Sequence, residues 1–295
     1  MRIVACLLLC AVQATACSAQ TRLETKLREY MDKCPAEVGV AVIVQDRDTV
    51  VVNDGHYPMN SVLKMFQSLP TAVELSRRHI SLDSLTSVSR GDLDLSTWSP
   101  MLKDFTDPCF KISYGRLLSY AIGQSDNNAC DLLFEKALPI EDVSRFWEEK
   151  GITDFNLKWN EVQMHEEPAR SNDNWCSPLA AASAMNRLMP YCMFSSDLDV
   201  SLLGRMFMEC NTGLNRIPKG LEGKEALIAH KTGTGFEDAE GRPTGINDVA
   251  YVILPDGISY SLAVFVRKTS VDMPATEKII ADISAIVCRT LSAGK

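Results

Sequence analysis

Strand patterns occupy the two ends of this 295-residue chain and helical patterns fill its middle, and that distribution limits the fold more than any other feature. Residues 37–45, Glu-Val-Gly-Val-Ala-Val-Ile-Val-Gln, are rich in β-branched side chains with partial alternation and read as a strand. Asp46-Arg47-Asp48 supplies a turn, 49–52 reads as a second strand, and Asn53-Asp54-Gly55 ends it. Strand patterns return at 226–230, 249–254 and 259–267, with Pro255-Asp256-Gly257 as the turn between the last two, and a closing helix is predicted over 274–291. Between 61 and about 210 the pattern is helical, at 114–122, 129–138, 141–150 and 179–189, with polar loops between. Pro70 should kink the helix that starts near Ser61.

The economical arrangement is an α/β (α+β) fold. An antiparallel sheet domain is formed by both chain ends, residues 17–58 and 207–295, and an all-helical domain, 59–206, is inserted between them. A site is then expected in the crevice where the two meet. Ahead of this stands an export leader over 1–16: Arg2 is cationic, 3–12 is a short apolar core, and Ala14-Thr15-Ala16 is a small-residue cleavage site. The run is too short for a membrane span, which needs about 20 apolar residues. Cleavage after Ala16 would leave Cys17 as a candidate for lipidation, an arrangement that resembles a bacterial lipoprotein signal; cleavage after Ala19 is the alternative. The expected location is periplasmic, with a lipid anchor on Cys17 in the first case.

Composition removes other classes. The chain is 46% hydrophobic and 23% charged, which suits a packed core rather than disorder. Its net charge is −8 with no basic run, so nucleic acid is not an expected partner. His56, His79, His165 and His230 show no metal-ligand spacing and no Cys-x-x-Cys pair occurs, so neither metal nor cofactor is expected. A monomer acting on a small molecule is the expected state.

Three short motifs carry the chemistry. Ser61-Val62-Leu63-Lys64 puts a hydroxyl and an amine three residues apart, on one face of a helix, where the amine can take the proton or stabilise the alkoxide. Taken alone, Ser61 reads as a helix cap, and Ser292-Ala293-Gly294-Lys295 repeats the spacing at the terminus. Ser125-Asp126-Asn127 precedes a helical segment and alone also reads as a cap; Lys231-Thr232-Gly233 ends a strand.

Together, in this order and spacing, the motifs resemble the class A serine β-lactamases and penicillin-binding proteins, in the first case their cephalosporinase and extended-spectrum branch. The resemblance spans about 24–291. It implies Ser61 as the acylated nucleophile, Lys64 as its partner and Ser125 as proton relay to the departing lactam nitrogen. It implies Asn127 as a contact to the substrate's acylamino group, and Lys231 and Thr232 as holders of its carboxylate. The backbone N–H groups of Ser61 and Thr234 would form the oxyanion hole, and Trp98 would wall the cleft mouth. Counting back from Ser177-Pro178 places Glu161 as the base that activates the deacylating water, ahead of Glu166 and Glu167.

The chain departs from the family pattern in four places. His165 stands where most class A enzymes have an Asn that helps to hold the water. Trp159 and Asn174 stand where many pair an Arg with an Asp, so the loop between them must be held otherwise and is expected to be roomier, which would suit bulky cephalosporins. Ile246-Asn247 occupies the place of the family's common Arg, and Arg216 is the alternative source of that charge. The implied function is β-lactam ring hydrolysis, with cephalosporins preferred. A cell-wall D,D-peptidase or transpeptidase shares Ser61, Lys64, Ser125 and Lys231 and is the alternative; a non-catalytic binding module is the third.

Overall fold

The computed structural model describes residues 20–293. The leader and Cys17 lie outside the described residues. Five strands form one antiparallel sheet in the spatial order Asp48–Val52, Glu37–Val44, Ser259–Arg267, Gly245–Ile253, Leu227–Thr234. The first strand of the chain pairs with the last, Val38 opposite Val266 and Val42 opposite Leu262, so the two ends close on each other.

Both faces of this sheet are covered. Val38, Val40 and Val42 pack with Leu23 and Leu27 of a helix over 20–31 and with Ile280, Ile283 and Val287 of the helix Met273–Ser292. Ala41 and Ile43, one step out of phase, join Met185, Leu188 and Met189 of the helix Pro178–Phe194. A sheet buried on both sides reads as a near-continuous apolar run, which is why the alternation in 37–45 is only partial.

The predicted elements are close to those observed. The helices are Tyr114–Gly123, Asn127–Lys136, Ile140–Glu148, Pro178–Phe194 and Met273–Ser292. The strand carrying Lys231 runs on to Thr234, and its neighbour begins at Gly245 rather than 249. Asn247 and Asp248, poor strand formers, hid that start. The helix over 20–31 was not predicted, although Leu23, Leu27 and Met31 lie on one helical face. The helical middle also holds an antiparallel strand pair, Leu85–Ser89 with Cys109–Ser113, and two very short strands, Trp175–Cys176 and Phe155–Asn156, the first of which also pairs with Tyr57–Pro58 just ahead of the middle. All seven described cysteines are free thiols. No helix among the described residues is long and apolar enough to cross a membrane.

The helix Leu63–Arg77 carries Pro70 in its interior, after a 3-10 turn over Asn60–Val62. Pro70 has no N–H to give to the Phe66 carbonyl one turn back. The indole Nε1 of Trp147 donates there instead, at 2.7 Å, so the break leaves no buried orphan at that carbonyl.

Candidate active site

Ser61 sits at the N-terminal end of that helix, beside Asn60, whose backbone is left-handed at φ 48°. Ser61 makes no capping bond. Its hydroxyl accepts from Lys64 Nζ at 2.8 Å, as the three-residue spacing predicts. Lys64 is fully buried and also donates to Asn127 Oδ1 at 2.9 Å and to the Glu161 carboxylate. Burial alone would push the Lys64 ammonium down; the Glu161 carboxylate outweighs it and holds the value above that of a free lysine.

Ser125 also has a left-handed backbone, φ 58°, and accepts from Lys231 Nζ at 2.9 Å. The capping role falls to its neighbour: Asp126 accepts from Ala129 N–H, and from Ser99 Oγ and Met101 N–H, fastening the loop that bears Trp98. Non-glycine residues at positive φ persist where their surroundings hold them; of the eight among the described residues, Asn60 adjoins the Ser61 hydroxyl and Ser125 bears its own at the cleft. Lys231 is fully buried and backs the cleft rather than lining it; burial pushes its ammonium down to about 7.

These groups meet at a cleft of about 430 Å³ lined by Ser61, Trp98, Ser125, Asn127, Glu161 and Thr234, with His165 and Thr232 also in its wall. A larger hollow of about 940 Å³ lies elsewhere and holds no such constellation. Trp98 is 62% exposed at the mouth, its indole N–H anchored to the Gln124 carbonyl at 2.9 Å. Thr232 Oγ1 shares a 2.7 Å hydrogen bond with Thr212 Oγ1. Leu227–Thr234 is an edge strand, and the Gly235 N–H just beyond it donates across the sheet to the Gly245 carbonyl at 2.7 Å. By the two-residue alternation of a strand, the Thr234 N–H projects to the open edge, on the cleft side.

Glu161 opens the short helix Glu161–Glu166, capped by Asn160 and Gln163. It is buried at the cleft floor, whereas Glu167 pairs with Arg170 at 2.9 Å and Glu166 is exposed. Asp131 was missed in the sequence. Its two carboxylate oxygens accept the Glu161 and Val162 N–H groups at 2.8 Å each, and burial, reinforced by the Glu161 charge, raises its pKa to about 7. One signal was available: Asp131 lies four residues after Asn127 on the same helix and so shares its face.

Each departure from the family pattern has a structural counterpart. Asn174, fully buried, replaces an ion pair with neutral bonds: its Oδ1 accepts the Lys158 and Trp159 N–H groups at 2.9 and 3.0 Å, and its Nδ2 donates to the Trp159 carbonyl at 2.7 Å. Asn247 Nδ2 donates to the Pro58 and Met59 carbonyls at 2.8 and 3.1 Å, tying the segment before Ser61 to the sheet. Arg216 is buried, not a surface residue. It donates to the Gly233 and Asn247 carbonyls and to Thr234 Oγ1, and pairs with Glu277 at 3.1 Å, so its charge sits behind the Lys231 strand. His165 Nδ1 is engaged by Asp94, which leaves Nε2 as its atom available to a water.

Such a cluster can acylate a serine: the hydroxyl has a buried amine beside it, a second hydroxyl–amine pair faces it, and a carboxylate lies within the same hydrogen-bond chain. Residues 22–291 match the family model described as the beta-lactamase enzyme family. The chain is 39% identical over 268 residues to a beta-lactamase of Phocaeicola vulgatus, covering 90% of this chain and 83% of that one. It is 31% identical to the extended-spectrum beta-lactamase PER-1 of Pseudomonas aeruginosa, covering 84% and 80%. A solved class A beta-lactamase from Bacteroides cellulosilyticus superposes with a TM-score of 0.87 at 34% identity, over 93% of this chain and 99% of that one. With the motifs, the cleft and these likenesses in agreement, the chain belongs to the β-lactamase enzyme family, as a class A enzyme that hydrolyses β-lactams.

Proposed function

We propose that hydrolysis runs through a Ser61 acyl-enzyme that Glu161-activated water releases, and that cephalosporins are the preferred substrates. The observation that carries the mechanism is the hydrogen-bonded chain Ser61–Lys64–Glu161, which runs from a hydroxyl at the cleft wall to a buried lysine and a buried carboxylate. Ser61 attacks the lactam carbonyl; its proton passes into the Lys64–Glu161 pair. The oxyanion is received by the Ser61 and Thr234 N–H groups, an arrangement worth several kcal/mol. Ser125, held by Lys231, returns a proton to the departing nitrogen. Asn127 meets the acylamino group, Thr232 meets the substrate carboxylate with the Lys231 charge directly behind it, and Arg216 supports that end by fixing Thr234. Glu161 then takes a proton from water, which His165 Nε2 helps to place.

The cephalosporin preference is supported by the Asn174 amide, which stands at the base of the 159–174 loop where many class A enzymes have an aspartate, and by likeness to relatives named as extended-spectrum enzymes. Export, with Cys17 as a lipid anchor, is part of the same reading and is supported by the pattern of residues 2–17. The test of the mechanism is Glu161→Ala: it should still acylate but accumulate a covalent adduct visible by mass spectrometry. Unchanged steady-state turnover would remove Glu161 from the reaction. Rates on penicillins and on early and oxyimino cephalosporins test the preference; a penicillin rate above all cephalosporin rates refutes it.

A further inference from the structure

We propose that the 940 Å³ hollow between the Ser61 helix and the helix Pro178–Phe194 is a second binding site, for a small single-chain amphipathic anion. Two helices wall it, and each carries an interior proline. Pro70 stands in one and Pro190 in the other, each removing a backbone hydrogen bond. Leu69 and Val73 flank the first break and line the hollow; Pro190 itself lines it from the other side. The volume, about twice that of the catalytic cleft, falls in the ordinary range for small-molecule sites.

The lining has two parts. Leu69, Val73, Phe146, Ile43 and Tyr251 make an apolar floor. Arg47 and Arg187 stand at the rim, and their guanidinium groups have no hydrogen bond or ion pair among the described residues. Lys150 adds a third cation, 3.8 Å over the Phe146 ring. The one acid in the wall, Asp46, has a carboxylate oxygen occupied by Asn186 Nδ2 at 2.9 Å. Uncommitted planar guanidinium groups above an apolar pocket suit a ligand with a hydrocarbon or aromatic body and one carboxylate or sulfonate head. The site is separate from the catalytic cleft, so it does not depend on the mechanism proposed above.

The test uses the whole enzyme with Ser61 acylated by a slowly released β-lactam, so that the catalytic cleft is filled. The probe is 1-anilinonaphthalene-8-sulfonate, followed by fluorescence. The expected result is saturable one-to-one binding, weakened about tenfold or more in R47E/R187E. Dodecanoate should displace the probe and the uncharged dodecyl maltoside should not. Val73→Trp, which fills the hollow and leaves the arginines, should also abolish binding. Absence of saturable binding, an affinity indifferent to both variants, or equal displacement by the neutral amphiphile would each overturn the proposal.

Discussion

His165 Nδ1 lies 2.5 Å from a carboxylate oxygen of Asp94, and this contact joins the two walls of the catalytic cleft. His165 belongs to the short helix that begins with Glu161; Asp94 belongs to the loop that bears Thr97 and Trp98. Partial burial would raise the Asp94 carboxyl, but hydrogen bonds from Ser96 and His165 hold it at about 2, so it is ionised and can only accept. The Nδ1 of His165 therefore carries the proton. The Asp94 backbone is clamped in turn by Asn128, which accepts its N–H at 3.0 Å and donates to its carbonyl at 2.8 Å. The loop carrying Glu161 is thus held by a charged contact at its tip, and at its base by the neutral Asn174 amide with the exposed Lys158–Asp173 pair beside it.

Cutting that tip contact should slow deacylation more than acylation. In Asp94→Asn and His165→Ala, stopped-flow traces should show the acyl-enzyme accumulating where the wild type shows none. The two effects should overlap in the double variant, with a coupling of about 1–2 kcal/mol. Strictly additive losses would mean that the two side chains act separately.

Lys231 gives the pH dependence its sign. Burial lowers its pKa to about 7, so in the free enzyme the cation is present below that pH and is lost above it. If it receives the substrate carboxylate, kcat/KM, which reports the free enzyme, should fall as pH rises through about 7, mainly through KM. An arginine at this position stays charged. Lys231→Arg should therefore carry its plateau of kcat/KM to higher pH, whatever its absolute rate. An alkaline limb that stays in place in Lys231→Arg would assign it to another group.

The architecture was legible because it rests on local pattern: β-branched runs at both ends, helical periodicity between. The motifs pointed to Ser61, Lys64, Ser125 and Lys231, which the fold gathers as two hydroxyl–amine pairs at one cleft, because each motif is short and fixed in spacing. What stayed hidden depends on pairs far apart in sequence. Asp131 meets the Glu161 amide across 30 positions, and Asp94 meets His165 across 71. No local periodicity encodes either contact. Arg216 was ambiguous for the same reason: its burial follows from Glu277 and two strands that only the fold brings to it.

Arg216 should be costly to remove. Its side chain is 4% exposed, and Glu277, its ionic partner, is 14% exposed. Arg216→Ala would leave that carboxylate buried without a cation and two carbonyls short of a donor, a loss of roughly 3–5 kcal/mol in unfolding free energy. Arg216→Lys should recover little, since one ammonium cannot reproduce the planar fork. Urea unfolding measures both; an Arg216→Ala midpoint equal to that of the wild type would contradict the assigned role.

Asn174 offers a test in which the family's usual solution can be rebuilt. Its amide satisfies three backbone groups of the 158–159 turn, and its own carbonyl accepts the Met59 N–H at 2.8 Å, two residues before Ser61. Asn174→Asp keeps the acceptors but loses the donor to Trp159 and buries a charge, with the nearby Lys158 ammonium already paired to Asp173 at 3.4 Å, a cost of about 2–4 kcal/mol. Trp159→Arg alone should cost less, because Trp159 is only partly buried. Joined in one chain, the two substitutions place Arg and Asp where many class A enzymes pair them. W159R/N174D should then be more stable than N174D by about 1–3 kcal/mol, read from the shift in urea midpoint. It should also narrow the loop, so that rates on oxyimino cephalosporins fall relative to those on small penicillins. If the double variant is no more stable than N174D, the neutral amide is not standing in for an ion pair, and the shape of the loop has another origin.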